Sequence, residues 1–318
     1  MNARALCRQG VAIVLALVLG SLAPSVALAQ SDAGRIEGTV VDTTGGTLPG
    51  ATVTITNLGT GIETFVITDE AGRYVATPLR AGRYKVRVEL AGFTPAETPE
   101  VTLTVNQVAS FDYTLNTGGL TETVQVVAQQ PLLEKVTSSI GTVINEQQVK
   151  ELPLNGRNFT QLATLTPGVN RGVQGGQASG EGGNTETFRY GDTGGAALSV
   201  NGVREQFNNY LLDGVDNNES LVNSVAIFPP VEGLQEFRVI TNGAQAEFGR
   251  AGGAVINVIT KGGSNNFNGS VYEFHRNEAL DAKPRFASVK QDFERNQFGF
   301  SLGGPIARNR TFFFGEYQ

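Results

Sequence analysis

What this chain cannot do follows from what it lacks. Its single histidine is His275 and its single cysteine is Cys7. A Ser-His-Asp triad, a Cys-His pair or a zinc site built on HExxH or HxxE each needs residues or spacings that are missing. The reading is therefore of a chain that is no enzyme and holds no cofactor and no metal. One oxygen-rich cluster stands out at Asp213, Asp216, Asn217, Asn218 and Glu219. Such groups bind calcium, but the spacing is not that of an EF-hand loop, and a turn followed by a solvated loop explains it better. A different chemistry is open to Thr121, Glu122, Thr123, Val124, Gln125, Val126 and Val127. An exposed β-branched run can add as a strand to a partner's sheet edge, where backbone hydrogen bonds give affinity and alternate side chains give register. The same run reads equally as the first ordinary strand of the domain that follows.

The elements that must position these residues begin after an export signal. Arg4 and Arg8 precede an apolar run at 11–22, and Ala27-Leu28-Ala29 forms a small-x-small site with cleavage expected between Ala29 and Gln30. The run is short for a membrane helix, which needs about 20 apolar residues. Cleavage would remove Cys7, Arg4 and Arg8 but no acid, so the exported part is cysteine-free and more acidic than the whole chain at −6. It must be held by sheet pairing and core burial, not by disulfides. No second long apolar segment follows, so a β-barrel is the one route left into a membrane. The acidic balance and the lack of long basic runs argue against a nucleic-acid partner.

With 318 residues, 40 of them Gly, and only 17% charged residues, the chain favours short strands and turns. Seven alternating segments at 35–42, 51–57, 62–68, 74–77, 82–90, 100–105 and 108–115 predict a β-sandwich. Tyr74, Tyr84, Phe93 and Tyr113 within it would either stack on sugar rings or fill the core. A flexible break, Thr117-Gly118-Gly119, opens a linker at 117–130. Residues 131–262 mix short helices and strands. Asn145 is placed to cap a helix over 146–152, with Gln148 as capping-box partner and Pro153 as its stop. A second helix is predicted at 158–165, strands at 197–203, 209–212, 235–241 and 253–260, and a Gly-rich loop at 171–195. From 263 onward aromatic strands are predicted at 269–276, 297–302 and 310–317. Tyr272 and Phe274 alternate there with Glu273 and His275, and Phe298, Phe300 and Leu302 with Gly299 and Ser301. One apolar aromatic face and one polar face is the pattern of a transmembrane barrel.

Several motifs in succession carry a resemblance. They are ELPLNGRNF at 151–159, LSVNGV at 198–203, YLLDGVD at 210–216, VEGLQEFRVI at 231–240, AEFGR at 246–250 and GGAVINVITKGG at 252–263. This stretch resembles the plug domain of TonB-dependent outer-membrane receptors. RTFFFGEY at 310–317 resembles the early barrel of their Oar-like subgroup. Residues 34–116 resemble the carboxypeptidase regulatory-like domain, a transthyretin-like or starch-binding-like sandwich. The fold class so implied is mainly β: a sandwich, an α+β plug, then the truncated start of a transmembrane β-barrel. The plug-motif positions are Asn155, Gly156, Arg157, Asn158, Asn201, Gly202, Asp213, Gly214, Glu236, Arg238, Gly249, Arg250, Gly252, Gly253, Asn257, Thr260 and Lys261.

The resemblance implies an N-terminal piece of a longer outer-membrane transporter, because three strands cannot close a barrel. Residues 121–127 fall where this family carries its TonB box. A periplasmic TonB-type energy-coupling protein, outer-membrane lipid and a small-molecule, peptide or saccharide ligand are the implied partners, with the sandwich and the candidate box facing the periplasm. The alternative is an outer-membrane or surface carbohydrate-binding or adhesion module that works through the sandwich.

Overall fold

The computed structural model describes residues 33–118, 124–125, 139–152, 154, 157–171, 198–220, 223–249, 252–280, 282–283, 288–290, 292 and 294–318. The export signal with Ala29 and Gln30, together with Thr121, Glu122, Thr123, Val126, Val127, Asn155, Gly156 and Arg250, lies outside the described residues, as does the Gly-rich loop beyond Arg171.

Alternating sequence builds the first two sheets. Their strands are β1 (Gly34–Asp42), β2 (Thr52–Asn57), β3 (Glu63–Ile67), β4 (Arg73–Leu79), β5 (Gly82–Glu89), β6 (Ala96–Glu97), β7 (Val101–Leu103), β8 (Val108–Ser110) and β9 (Tyr113–Leu115). In one sheet β1 pairs antiparallel with β4 and, on its other edge, parallel with β8 and then β9. In the other, β2 lies between β3 and β5, and β5 also pairs with β6 and β7. Val53 and Ile55 of β2 and Tyr84, Val86 and Val88 of β5 turn inward and are buried. The single strand expected at 108–115 is two strands. Between them the Phe111 amide donates to Glu37 O at 2.8 Å, and Phe111 O accepts the Tyr74 hydroxyl at 2.8 Å. Tyr74, Tyr84 and Tyr113 are buried, and Phe93 packs against the same core. These aromatics fill the sandwich, so the sugar-stacking reading of them does not hold. A further short strand, β10 (Val124–Gln125), pairs parallel with β6 at the sheet edge, Val124 opposite Ala96 and Gln125 opposite Glu97.

The next unit comprises β11 (Ile140–Asn145), α1 (Glu146–Glu151), a 3-10 helix (Phe159–Leu165), β12 (Val169–Arg171), β13 (Leu198–Val200), β14 (Asn209–Leu212), β15 (Val215–Asp216), β16 (Leu234–Asn242) and β17 (Val255–Thr260). Five strands form a sheet in the order β11-β16-β17-β14-β15, and β12 and β13 pair separately. Asn145 Oδ1 accepts from the Gln148 amide at 2.9 Å and Gln148 Oε1 from the Asn145 amide at 3.0 Å, the reciprocal box expected from the sequence. On one sheet face Ile144, Phe237, Val239, Ile256 and Val258 pack with Val149, Phe159 and Leu162 from the helices. On the other, Leu211, Ile240, Val255 and Phe248 form a smaller apolar cluster. Alternation along β16 and β17 puts Glu236, Arg238 and Asn257 on that second face.

Finally β18 (Asn268–Asn277), β19 (Glu294–Ala307) and β20 (Thr311–Tyr317) make an antiparallel sheet. Register decides its faces. Val271 lies opposite Phe300, Glu273 opposite Phe298 and Phe300 opposite Tyr317, so these share one side with Leu302. Val271 is 87% exposed there, and Phe298, Phe300, Leu302 and Tyr317 are exposed as well. Tyr272 lies opposite Gly299 and Phe274 opposite Gln297, on the reverse side. The two β18 aromatics therefore do not join the apolar face of β19. They point the other way, toward the α+β unit.

Candidate functional site

A chain of charges runs along the seam between the α+β unit and the three-strand sheet. In α1, Lys150 Nζ meets Glu146 Oε1 at 2.6 Å. Lys261, just past β17, reaches the same carboxylate at 3.0 Å and donates to Glu232 O at 2.5 Å. Burial works to raise the Glu146 carboxyl, but hydrogen bonds from Lys150 and Lys261 outweigh it and hold it below the usual carboxylate range. The Glu232 side chain pairs with Arg157 Nη2, and both side chains are nearly buried. The Arg157 guanidinium lies 4.1 Å from the Phe274 ring centre and 5.7 Å from that of Tyr272, a cation–π stack on the inward side of β18. Opposite, Glu316 of β20 reaches Gly233: a Cβ there would fall 1.6 Å from Glu316 Oε2, so a larger residue would make the Glu316 side chain swing aside. Arg157 and Lys261 from the sequence motifs thus meet at one seam, joined by Glu232, Tyr272, Phe274 and Glu316.

A second constellation lies on the far sheet face. Glu236 accepts from the Val105 amide of the sandwich. Arg238 Nη1 donates to Val105 O and Asn106 O, both at 3.2 Å, and Asn257 Nδ2 donates to Asn106 Oδ1 at 2.8 Å. Glu236, Arg238 and Asn257 are all buried. Asn106 takes φ 53°, a left-handed value that Asn tolerates.

The remaining motif positions shape turns and loops. Asn201 (φ 52°) with Gly202 (φ 75°), and Asp213 (φ 50°) with Gly214 (φ 75°), are two-residue turns with both angles positive, the geometry of tight hairpins. Asp213 is stapled to β17: Oδ1 accepts from the Thr260 amide at 2.8 Å and Oδ2 from Thr260 Oγ1 at 2.7 Å. Asn158 Oδ1 caps the 3-10 helix, accepting from the Thr160 amide at 3.0 Å. Gly249 O accepts from Asn209 Nδ2 at 2.9 Å. The amides of Gly252 and Gly253 both donate to Phe207 O. In the oxygen-rich loop Asn218 Nδ2 donates to Asn209 Oδ1 and Asp216 Oδ1, each at 2.7 Å, and Asp213 is engaged with Thr260. Among the described residues no group of three or more His, Cys, Asp or Glu could hold a metal ion. The cluster is a hydrogen-bonded turn.

Comparison with known proteins agrees with this layout. The carboxypeptidase regulatory-like domain family matches residues 35–116, and the outer membrane beta barrel domain family matches 259–318. The TonB-dependent transporter Oar of Myxococcus xanthus is 28% identical over 99% of this chain and 29% of its own length. The chain is homologous to TonB-dependent receptors. A probable TonB-dependent siderophore receptor, PirA of Acinetobacter baumannii, is 27% identical over 62% of this chain and 25% of that protein. The crystal structure of the siderophore receptor PirA from Acinetobacter baumannii overlaps 58% of this chain and 25% of that one, at 23% identity and a TM-score of 0.41. The chain spans under a third of the length of these relatives. Such homologues are transporters and receptors, and with the barrel match they assign the chain to the outer membrane. Its fold is mostly β, with a sandwich, an α+β unit and the start of a barrel.

Sequence reasoning singled out neither Glu146, Lys150, Glu232 and Glu316 of the seam, nor Val105 and Asn106, which reach the α+β unit, nor Tyr272 and Phe274, which reach Arg157. The last pair looked like part of a lipid-facing stripe, since aromatic alternation marks both sides of a barrel strand alike. Nothing local marks Val105 or Asn106.

Glu236 supplies a pH test. Burial beneath the sandwich turn pushes its carboxyl up to about 7, against the Val105 amide and Arg238, which both pull it down. A carboxyl raised on folding binds its proton more tightly folded than unfolded. Its contribution is full below the ordinary carboxylate range and is lost as pH climbs toward about 7. The loss is on the order of 3 kcal/mol. Urea midpoints measured from pH 5 to pH 8 should fall with rising pH in the parent, and that component should vanish in Glu236→Gln. Parallel profiles for the two would remove Glu236 as its source.

Proposed function

We propose that this chain is the N-terminal part of a transporter that takes up a ligand through a plugged barrel by energy supplied from the periplasm. It acts by binding and gating, not by catalysis. Residues 1–29 are then the export signal, 34–116 the carboxypeptidase regulatory-like sandwich, 117–130 a linker, 131–262 the plug and 263–318 the first barrel strands. One observation carries the reading. A three-strand sheet turns Val271, Phe298, Phe300, Leu302 and Tyr317 outward, with Glu273 among them, while Arg157, held by Glu232, stacks a polar domain against its other face. A strand wall with lipid on one side and a hydrogen-bonded polar filling on the other is what a stoppered barrel requires.

Residues 121–127 are the contact segment for the TonB-type partner. Val124 and Gln125 already add to a sheet edge, that of β6, which is the binding mode this role needs. The ligand is a small molecule, peptide or saccharide, and ferric siderophores come first because one relative is a probable siderophore receptor. The test is deletion of residues 120–128 in the complete receptor. Energised uptake of whichever panel siderophore the intact receptor imports should be abolished, with binding to whole cells retained. Uptake at the parental rate would end the assignment.

A further inference from the structure

Three turns at one end of the sandwich touch the plug and its first barrel strands. Register brings them together: Asn57 lies opposite Tyr84 and Gly82 opposite Leu103, so the β2–β3, β4–β5 and β7–β8 turns share an end. From the first turn, Gly59 O accepts from the Asn265 amide at 3.0 Å and Thr60 O from Asn265 Nδ2 at 2.6 Å. From the second, Ala81 O accepts from Gln235 Nε2 at 3.1 Å. The third is the Val105–Asn106 turn already described. Most of these bonds end on sandwich main-chain carbonyls, which exist whatever the side chain, so little of the interface can be read from sequence.

The plug side is built for such a visitor. Its second sheet face is apolar around Leu211, Ile240 and Val255, where Phe248 covers it. It turns polar at Glu236, Arg238 and Asn257, where the sandwich covers it. Polar side chains on a sheet face are satisfied by a docked backbone and equally by water. An apolar seam would be stranded on separation, whereas this one survives it. Small polar interfaces between domains are the ones that open.

We propose that Glu236, Arg238 and Asn257 form a docking cradle for the sandwich turn at Val105–Asn106, a releasable catch that parks the sandwich on the plug. The occupant is this chain's own N-terminal domain, and the inference does not depend on energised uptake.

A cysteine pair at a separate contact reports docking. In the chain in detergent carrying Cys7→Ser, Ala81→Cys and Gln235→Cys provide the only two thiols, and dibromobimane fluoresces once it bridges both. Bridging should be about tenfold faster than for Thr44→Cys with Gln235→Cys, since Thr44 makes none of these contacts. Asn106→Gly removes one acceptor while keeping a residue at ease with positive φ, and should slow bridging about fivefold; Arg238→Ala, which loses two charge-assisted bonds, should slow it about tenfold or more. Release is read from Gln235→Cys alone: a bulky maleimide should label it to completion, and faster in Asn106→Gly. Equal bridging rates for the two pairs, or indifference to both substitutions, would overturn the docking site. A thiol at 235 that never labels in the folded chain would overturn its release. Because Asn106→Gly lies in the sandwich, a misfolded plug in Arg238→Ala does not blunt the test.

Discussion

Replacing Arg157 by Ala should cost the plug about 3–5 kcal/mol, the usual penalty for breaking a buried ion pair from one side. Arg157 and Glu232 expose only 12% and 11% of their side chains. Lys261 does not substitute, because its ammonium holds the Glu232 main-chain carbonyl. The orphaned carboxylate would be left beside Glu316, a like charge near Gly233. Urea unfolding of the chain in detergent, with sandwich and plug followed by separate probes, measures the loss. It should fall on the plug transition alone. A shift below about 1 kcal/mol would mean that the pair behaves as a surface salt bridge.

Two companion substitutions separate charge from stacking. Arg157→Lys keeps the charge but not the planar fork that sits over Phe274, and should recover part of the loss. Arg157→Met with Glu232→Gln removes both charges while keeping bulk. It should come closer to the parent than Arg157→Ala, because the expensive element is an unpaired charge and not a missing bridge.

How far the sequence disclosed this arrangement depended on the range of each interaction. The capping box at Asn145 and Gln148 and the Asp213-Gly214 turn are local, and local chemistry is written in consecutive residues, although the Asn201-Gly202 turn breaks the strand expected at 197–203. The alternation of Val53 with Ile55, and of Val86 with Val88, marked a buried sandwich face, since period-two burial needs no knowledge of the neighbour. What covers a face is a different question. Phe274 and Phe298 are both aromatic and both alternate with polar residues, yet antiparallel register sends them to opposite sides. The motif VEGLQEFRVI was legible as a strand, but its Glu236 and Arg238 stood there only as motif positions. Their burial depends on a turn more than 130 positions away in sequence, at Val105.

The same distinction sets the second large effect. Phe237→Ala should destabilise the plug by about 3–5 kcal/mol, whereas Phe300→Ala should cost the chain in detergent well under half of that. Both residues sit in strands of alternating sequence. Phe237 is fully buried, lies between Ile144 of β11 and Val258 of β17, and meets the Phe159 ring at 5.8 Å and 66°. Its loss leaves a cavity beneath α1 and the 3-10 helix, lined by Val149, Phe159 and Leu162. With domain stabilities of about 5–15 kcal/mol, the plug would be brought near its unfolding threshold. Phe300 remains half exposed on the outward face of β19, stacked on Tyr317 at 6.1 Å. Detergent or lipid covers that side before and after substitution, so little apolar burial is lost. Limited proteolysis at a fixed urea concentration should cut the plug of Phe237→Ala far sooner than that of Phe300→Ala, and leave the sandwich intact in both, because no residue of the Phe237 cluster belongs to the sandwich core.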